Sequence, residues 1–258
     1  MSGAAGLALH QFRYDQKTFW RNPASVFFTV MLPVIFLLIF ATIFGNEEIE
    51  ELGGVKTTTY YVPAIITLAI VSATMVSLAI NLTVARENGV LKRGRGTPLP
   101  AWVFIAGRVG NAIVVSLLML ALLTVIGKLL YGVPIPWQRL PAVLVTLTVG
   151  AAAFCCLGIA LSALIPSEDA APAITNITVL PLYFLSGVFI PESEIPDGVL
   201  SFSEAFPIRH FFEAFFTAFD PATSGAGFEW GNLAVVAAWG LGGLLLALRY
   251  FRWVPRAG

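Results

Sequence analysis

Charge is scarce in this chain. Asp, Glu, Lys and Arg make up 12% of its 258 residues, where a soluble domain carries about 25%. Hydrophobic residues make up 57%. That balance excludes an ordinary water-soluble domain and points to a polytopic membrane protein. Cysteine is scarcer still, at two residues. Cys155 and Cys156 are neighbours inside an apolar run, and adjacent cysteines do not easily form an unstrained bridge, so they read as small core residues. Histidine is limited to His10 and His210. There is no His-Glu-x-x-His and no Cys-x-x-Cys, and no glycine-rich loop ends in Gly-Lys-Ser or Gly-Lys-Thr, so a nucleotide site of that kind is excluded. No Asp or Glu falls at the centre of an apolar run, where proton-coupled pumps place ionisable groups. The N-terminus shows no short apolar core followed by a cleavage site, so no signal peptide is expected.

What is present is a succession of apolar runs. About 20 such residues cross a bilayer, and six runs qualify, at about 24–44, 61–85, 101–130, 140–165, 170–190 and 231–251. The expectation is an all-α membrane protein, one transmembrane domain over 1–258. Residues 6–21 read as an interfacial amphipathic helix. Ala5, Leu9, Phe12, Gln16, Phe19 and Trp20 lie on one side, with His10, Arg13, Lys17 and Arg21 beside them. The third run is too long for a simple span, so its first turns belong in the interface, and Arg108 can snorkel there. The stretch 191–230 is polar except for Pro207–Phe219, which is too short to span. It reads as a short outer re-entrant helix that dips into the outer leaflet or packs back on the bundle.

Orientation follows from the basic residues. With both termini in the cytoplasm, 11 of the 15 Lys and Arg fall inside, as the positive-inside rule requires. Glu47, Glu48, Glu50 and Glu51 then lie outside. The turn Pro166-Ser167-Glu168-Asp169 is the local exception, being acidic yet on the inner side.

The segment Arg86–Pro100 organises the chain. It is basic, rich in breakers and caught between two apolar runs, so it holds at most a turn or two of helix. Its pattern, Arg86-Glu87-x-Gly89-x-x-x-Arg93-x-x-x-Thr97-Pro98-Leu99, resembles the cytoplasmic loop of type-2 ABC exporter permeases, the family of antibiotic and daunorubicin-type efflux proteins. Gly107-Arg108, Leu185-Ser186-Gly187-Val188-Phe189-Ile190-Pro191, and Phe206-Pro207-Ile208 followed by Phe212-Glu213-Ala214 resemble further elements of that family in the same order. Gly94-Arg95-Gly96 stands where the family has a pair of leucines, and Phe206 where it commonly has Asn.

The resemblance implies an export permease subunit in the cytoplasmic membrane, and a mostly apolar lining of its route implies an apolar or amphiphilic compound as cargo. It implies that Glu87, Gly89, Leu91, Arg93, Thr97 and Pro98 form the element that couples to an ATPase. Two copies of that ATPase subunit, a second copy of this chain and the lipid bilayer would be its partners, with no nucleic acid. No cofactor is expected on this chain; ATP and Mg would be bound by the ATPase. The second and fifth runs would line the route. Thr67, Thr74 and Asn81 are seven apart with Ser77 beside them, and Asn176 and Tyr183 are seven apart with Ser186 nearby. Such residues serve equally as interhelical hydrogen bonds, typically worth about 0.6 kcal/mol. A membrane enzyme acting on lipids and a non-catalytic scaffold or channel are the alternative readings. The dearth of central acids and histidines weighs against the enzyme.

Overall fold

A computed structural model describes residues 4–45, 48–49, 54–95, 101–190 and 195–251. They form a helical bundle. Helix α1 (Ala4–Trp20) precedes a rod made of α2 (Pro23–Val26), a π turn (Phe27–Met31) and α3 (Leu32–Ile43). Strands β1 (Glu48–Ile49) and β2 (Val55–Lys56) pair antiparallel, Glu48 opposite Lys56. This small ladder is an addition to the all-α expectation. Then follow α4 (Thr57–Val71), a second π turn (Ser72–Val76) and α5 (Ser77–Glu87), together one rod of 31 residues. The remaining helices are α6 (Val90–Arg95), α7 (Ala101–Tyr131), α8 (Leu140–Leu164), α9 (Ala171–Leu185), α10 (Asp197–Ser203), α11 (Pro207–Phe219) and α12 (Trp230–Tyr250).

Among the described residues, four helices are long and apolar enough to cross a membrane: Thr57–Glu87, Ile105–Tyr131, Trp137–Leu164 and Trp230–Tyr250. Two shorter apolar helices, Phe27–Ile43 and Ala171–Leu185, fall where the first and fifth runs were expected. The chain is therefore a multi-pass membrane protein. The fifth run was expected to continue to Ile190 but its helix stops at Leu185. Gly187 takes a φ of +79°, a conformation that suits glycine and ends helices. Val188 then tucks into the core.

Apolar residues surround α4 on all sides, and every one of its residues is buried. A helix that is apolar all round belongs at the centre of a bundle. Helix α12 lies at the edge. One face meets α8 so closely that a Cβ on Gly240 would sit 2.7 Å from the Ala153 Cα, the small-residue contact that lets membrane helices approach. Its other face exposes Leu241, Leu245 and Leu248, suited to hydrocarbon.

Helices α10 and α11 form a V against the bundle. Its apex reaches the middle of α12, where the Trp239 indole N–H donates to Ala205 O at 3.0 Å. Trp239 lies nine residues into α12, about 14 Å along its axis. Phe211 of α11 lies against Phe154 with ring centroids 5.2 Å apart. It also fills the space a side chain on Gly150 would need, 1.9 Å from a Cβ there. The aromatic segment thus packs back on the bundle, the second of its two expected placements.

Candidate functional site

Where α5 meets α6, Asn88 and Gly89 turn the chain. Gly89 has a φ of +67°, the left-handed conformation that costs other residues about 1–2 kcal/mol. The turn leaves α6 standing beside the bundle. Leu91 is 1% exposed and roots it, while Val90 at 41% and Lys92 face away. Leu91, expected to be part of a docking surface, instead packs within its own chain. Glu87 is half-buried. Thr97, Pro98 and the side chain of Arg93 lie outside the described residues.

Beside this turn Arg86 points inward and is 2% exposed. Its Nη1 donates to Ser162 O at 2.9 Å and its Nη2 to Ile165 O at 2.7 Å. Its Nε donates to Glu87 Oε1 at 2.6 Å. The last carbonyls of a helix lack intrahelical partners and carry partial negative charge, so a guanidinium fork at the end of α8 satisfies both needs at once. Asn88 Nδ2 adds a bond to Glu168 Oε2 at 2.8 Å. The acidic turn and the basic segment therefore lie at the same end of the bundle.

Helix α1 lies across the start of α7 at this end. A Cβ on Gly107 would sit 2.6 Å from Gln11 Cγ. The packed face of α1 includes Gln11, Phe12, Asp15, Gln16 and Phe19, while Leu9 and Trp20 are exposed. Between α1, α5 and α7 opens a polar cleft of about 110 Å³, lined among others by Asp15, Thr18, Ser77, Asn81, Arg108 and Asn111. Asp15 is buried and faces Arg108. Burial pushes its carboxyl above the ordinary aspartate range, against the pull of Arg108 and a hydrogen bond from Gln11 at 3.2 Å. Asn111 Oδ1 is buried and accepts no hydrogen bond among the described residues.

The expected lining residues divide into three groups. Ser77 and Asn81 line this cleft and bond each other at 3.0 Å. Thr67, Thr74, Tyr183 and Ser186 are buried inside the chain. Thr74 donates to Ile70 O and Ser186 to Tyr183 O. Tyr183 Oη donates to Leu68 O at 3.2 Å and pairs with Ser72 Oγ at 3.1 Å. Asn176 is exposed on α9. The spacing of seven does not make one stripe, because the π turn Ser72–Val76 intervenes. A π turn holds an extra residue, which rotates the faces beyond it by about 100° relative to a count along a plain helix.

The sequence reading missed Arg86, Asn88, Asp15 and Asn111. A signal for Arg86 was there: Ala79, Leu82, Thr83 and Arg86 recur at helical spacing and all are buried.

The described residues thus form a helical, multi-pass membrane bundle with a short helix between two long ones. Residues 11–219 match the ABC-2 type transporter family, and the chain belongs to it: it is a membrane transport permease of that family. It is 24% identical over 215 residues to the inner membrane transport permease YadH of Escherichia coli K12, covering 80% of this chain and 83% of that protein. It is 21% identical over 198 residues to the putative transport permease YvfS of Bacillus subtilis, covering 76% and 79%.

Proposed function

We propose that this chain is the membrane-spanning subunit of an ATP-driven exporter for an apolar or amphiphilic compound. A separate ATPase subunit, present twice, binds ATP and Mg, and two copies of this chain form the route. Six spans cross the cytoplasmic membrane with both termini inside. Helix α1 lies in the inner interface, and the α10–α11 V enters from the outer leaflet. Helix α6 receives the ATPase through Glu87, Gly89, Arg93, Thr97 and Pro98.

The observation that carries this reading is α6 itself. It is rooted by one buried leucine, turns Val90 and Lys92 outward, and joins two membrane-length helices. A partner that moves α6 moves both. The cleft at the same end supports the amphiphilic class of cargo. At about 110 Å³ it is smaller than the roughly 300–1,000 Å³ of a drug-sized pocket. It would seat a polar head while an apolar body stayed in lipid.

The test is co-expression with an ABC ATPase subunit, followed by pull-down and efflux. The wild type should bind the ATPase and export. Glu87→Gln and Arg93→Ala should insert normally and lose ATPase binding or efflux; full activity in both would remove the coupling role. A cysteine placed at Glu50 should be labelled from outside the cell and one placed at Arg95 should not. The reverse pattern would invert the topology.

A further inference from the structure

The rod α4–α5 is bonded at three levels: to the end of α8 and its turn, to α9 itself, and to the segment that follows α9. At the α6 end, Arg86 holds Ser162 O and Ile165 O, and Asn88 holds Glu168. Midway, Tyr183 of α9 bonds Leu68 O and Ser72 Oγ. At the far end, Tyr60 Oη donates to Gly187 O at 2.6 Å and Tyr61 Oη to Phe189 O at 3.4 Å. The turn between α8 and α9 is closed on itself. Ala171 N–H donates to Glu168 O at 3.2 Å and Ala170 N–H to Ser167 Oγ at 3.3 Å. The residue that Asn88 holds is therefore bonded into the first turn of α9.

We propose that Arg86 is a positioning residue, the joint that carries displacement of α6 into the end of α8 and, through the closed α8–α9 turn, into α9, so that α4–α5 and α9 shift as one body during transport. The proposal rests on the coupling reading of α6. Chain connectivity alone lets α6 drive only α5 and α7. Arg86 adds a third route because its fork is rigid: two parallel N–H donors on one planar group fix direction as well as distance. A helix cap with no transmitting role would need only a charge near the carbonyls. Arg86 is buried with three of its donors used, so α5 cannot rotate away from α8 without leaving carbonyls and a cation unsatisfied, a strongly unfavourable state.

Arg86→Gln tests this in the full chain, reconstituted with its ATPase in lipid nanodiscs and vesicles. ATPase binding should persist, while export per ATP hydrolysed should fall about tenfold, a loss typical of broken coupling. Arg86→Lys should recover part of it, since an ammonium reaches one carbonyl. Cysteines at Asn88 and Glu168, joined by a short thiosulfonate cross-linker, should leave export per ATP unchanged. Arrest by the cross-link, or unchanged coupling in Arg86→Gln, overturns the joint. If Arg86→Gln fails to assemble, the cross-link decides.

A third arm needs no partner. In the purified chain, Arg86→Gln, or Asn88→Ala if the former does not assemble, should speed hydrogen exchange over Ala171–Ile177 and leave α12 unchanged. Unaltered α9 exchange overturns the joint. By contrast, a wild-type complex that hydrolyses ATP and exports nothing would sink the exporter reading alone.

Discussion

The two ends of the bundle are held by opposite means. At the α6 end, a buried guanidinium and an amide grip carbonyls and a carboxylate of the α8–α9 turn. At the α11 end the work is done by rings. Phe211 lies on Phe154, and Tyr60 meets Phe212 and Phe216 with centroids 5.2 and 5.3 Å away. Ring contacts favour a separation and an edge-on tilt but accept a range of both. A bidentate fork on carbonyls accepts little. On the proposed role of Arg86, one end would pass on a displacement and the other would keep its shape. Polar fastenings are present at the α11 end as well, among them Arg139, which donates to Asp220 O at 2.5 Å and to Thr223 O.

That contrast can be broken from either side. The largest effect should come from Phe211→Ala, which leaves a void opposite Gly150. A buried Phe→Ala change costs about 3–5 kcal/mol, and the thermal midpoint in detergent should drop accordingly. Hydrogen exchange around Arg86 should be unaffected well below that midpoint; if it rises in step, the two ends are one unit and the contrast is wrong.

Arg139→Ala comes next. It leaves the Asp220 and Thr223 carbonyls without their shared donor, a cost of about 1–3 kcal/mol for such groups. Exchange should quicken in the last turn of α11, with only a modest fall in the midpoint.

Gly89→Ala should cost about 1–2 kcal/mol through its left-handed φ. A Cβ there meets nothing within 4 Å, so the penalty is conformational only. It should appear as faster exchange in α6 with α8 unchanged. Spread of the effect into α8 would mean that Gly89 carries packing as well.

The smallest effect is expected at Asp15. Its folded carboxyl is raised above the ordinary 3.8, so the folded chain holds the proton more tightly than the unfolded one. The resulting stabilisation is complete below about 3.8 and is lost as pH rises through the raised value. Asp15→Asn cannot ionise and should flatten that slope, with a midpoint at neutral pH no lower than the parent's. A variant clearly less stable at neutral pH would show that attraction to Arg108 outweighs burial.

Helix positions were legible wherever composition changes sharply. Pro207–Phe219 was expected and is α11. The third, fourth and sixth runs ended within a residue of α7, α8 and α12, because glycine, proline and charged or aromatic residues mark both edges. The fifth was not, because Val188, Phe189 and Ile190 are as apolar as a helix interior. It is the conformation of Gly187 that takes them out of line. The joint was half visible. Arg86 was counted as one more positive charge, since a count of charge does not say which face of a helix carries it. The face is set by Leu82 and Thr83, which turn inward one helical turn before Arg86. Thr67, Thr74 and Asn81 failed to share a surface for the same kind of reason: spacing is measured along the chain, and the π turn changes what spacing means.

That π turn also marks where the chain can change length. The five residues Ser72–Val76 fill one wide turn, a turn that a plain helix closes with fewer. Removing one residue there would restore ordinary winding and leave the faces above and below in register. Removing one from α4 or α5 would swing Arg86 by about 100° away from α8. Along this rod, then, a deletion is tolerable at one turn and ruinous a turn to either side. Related chains of different length should place their lost or gained residue at Ser72–Val76.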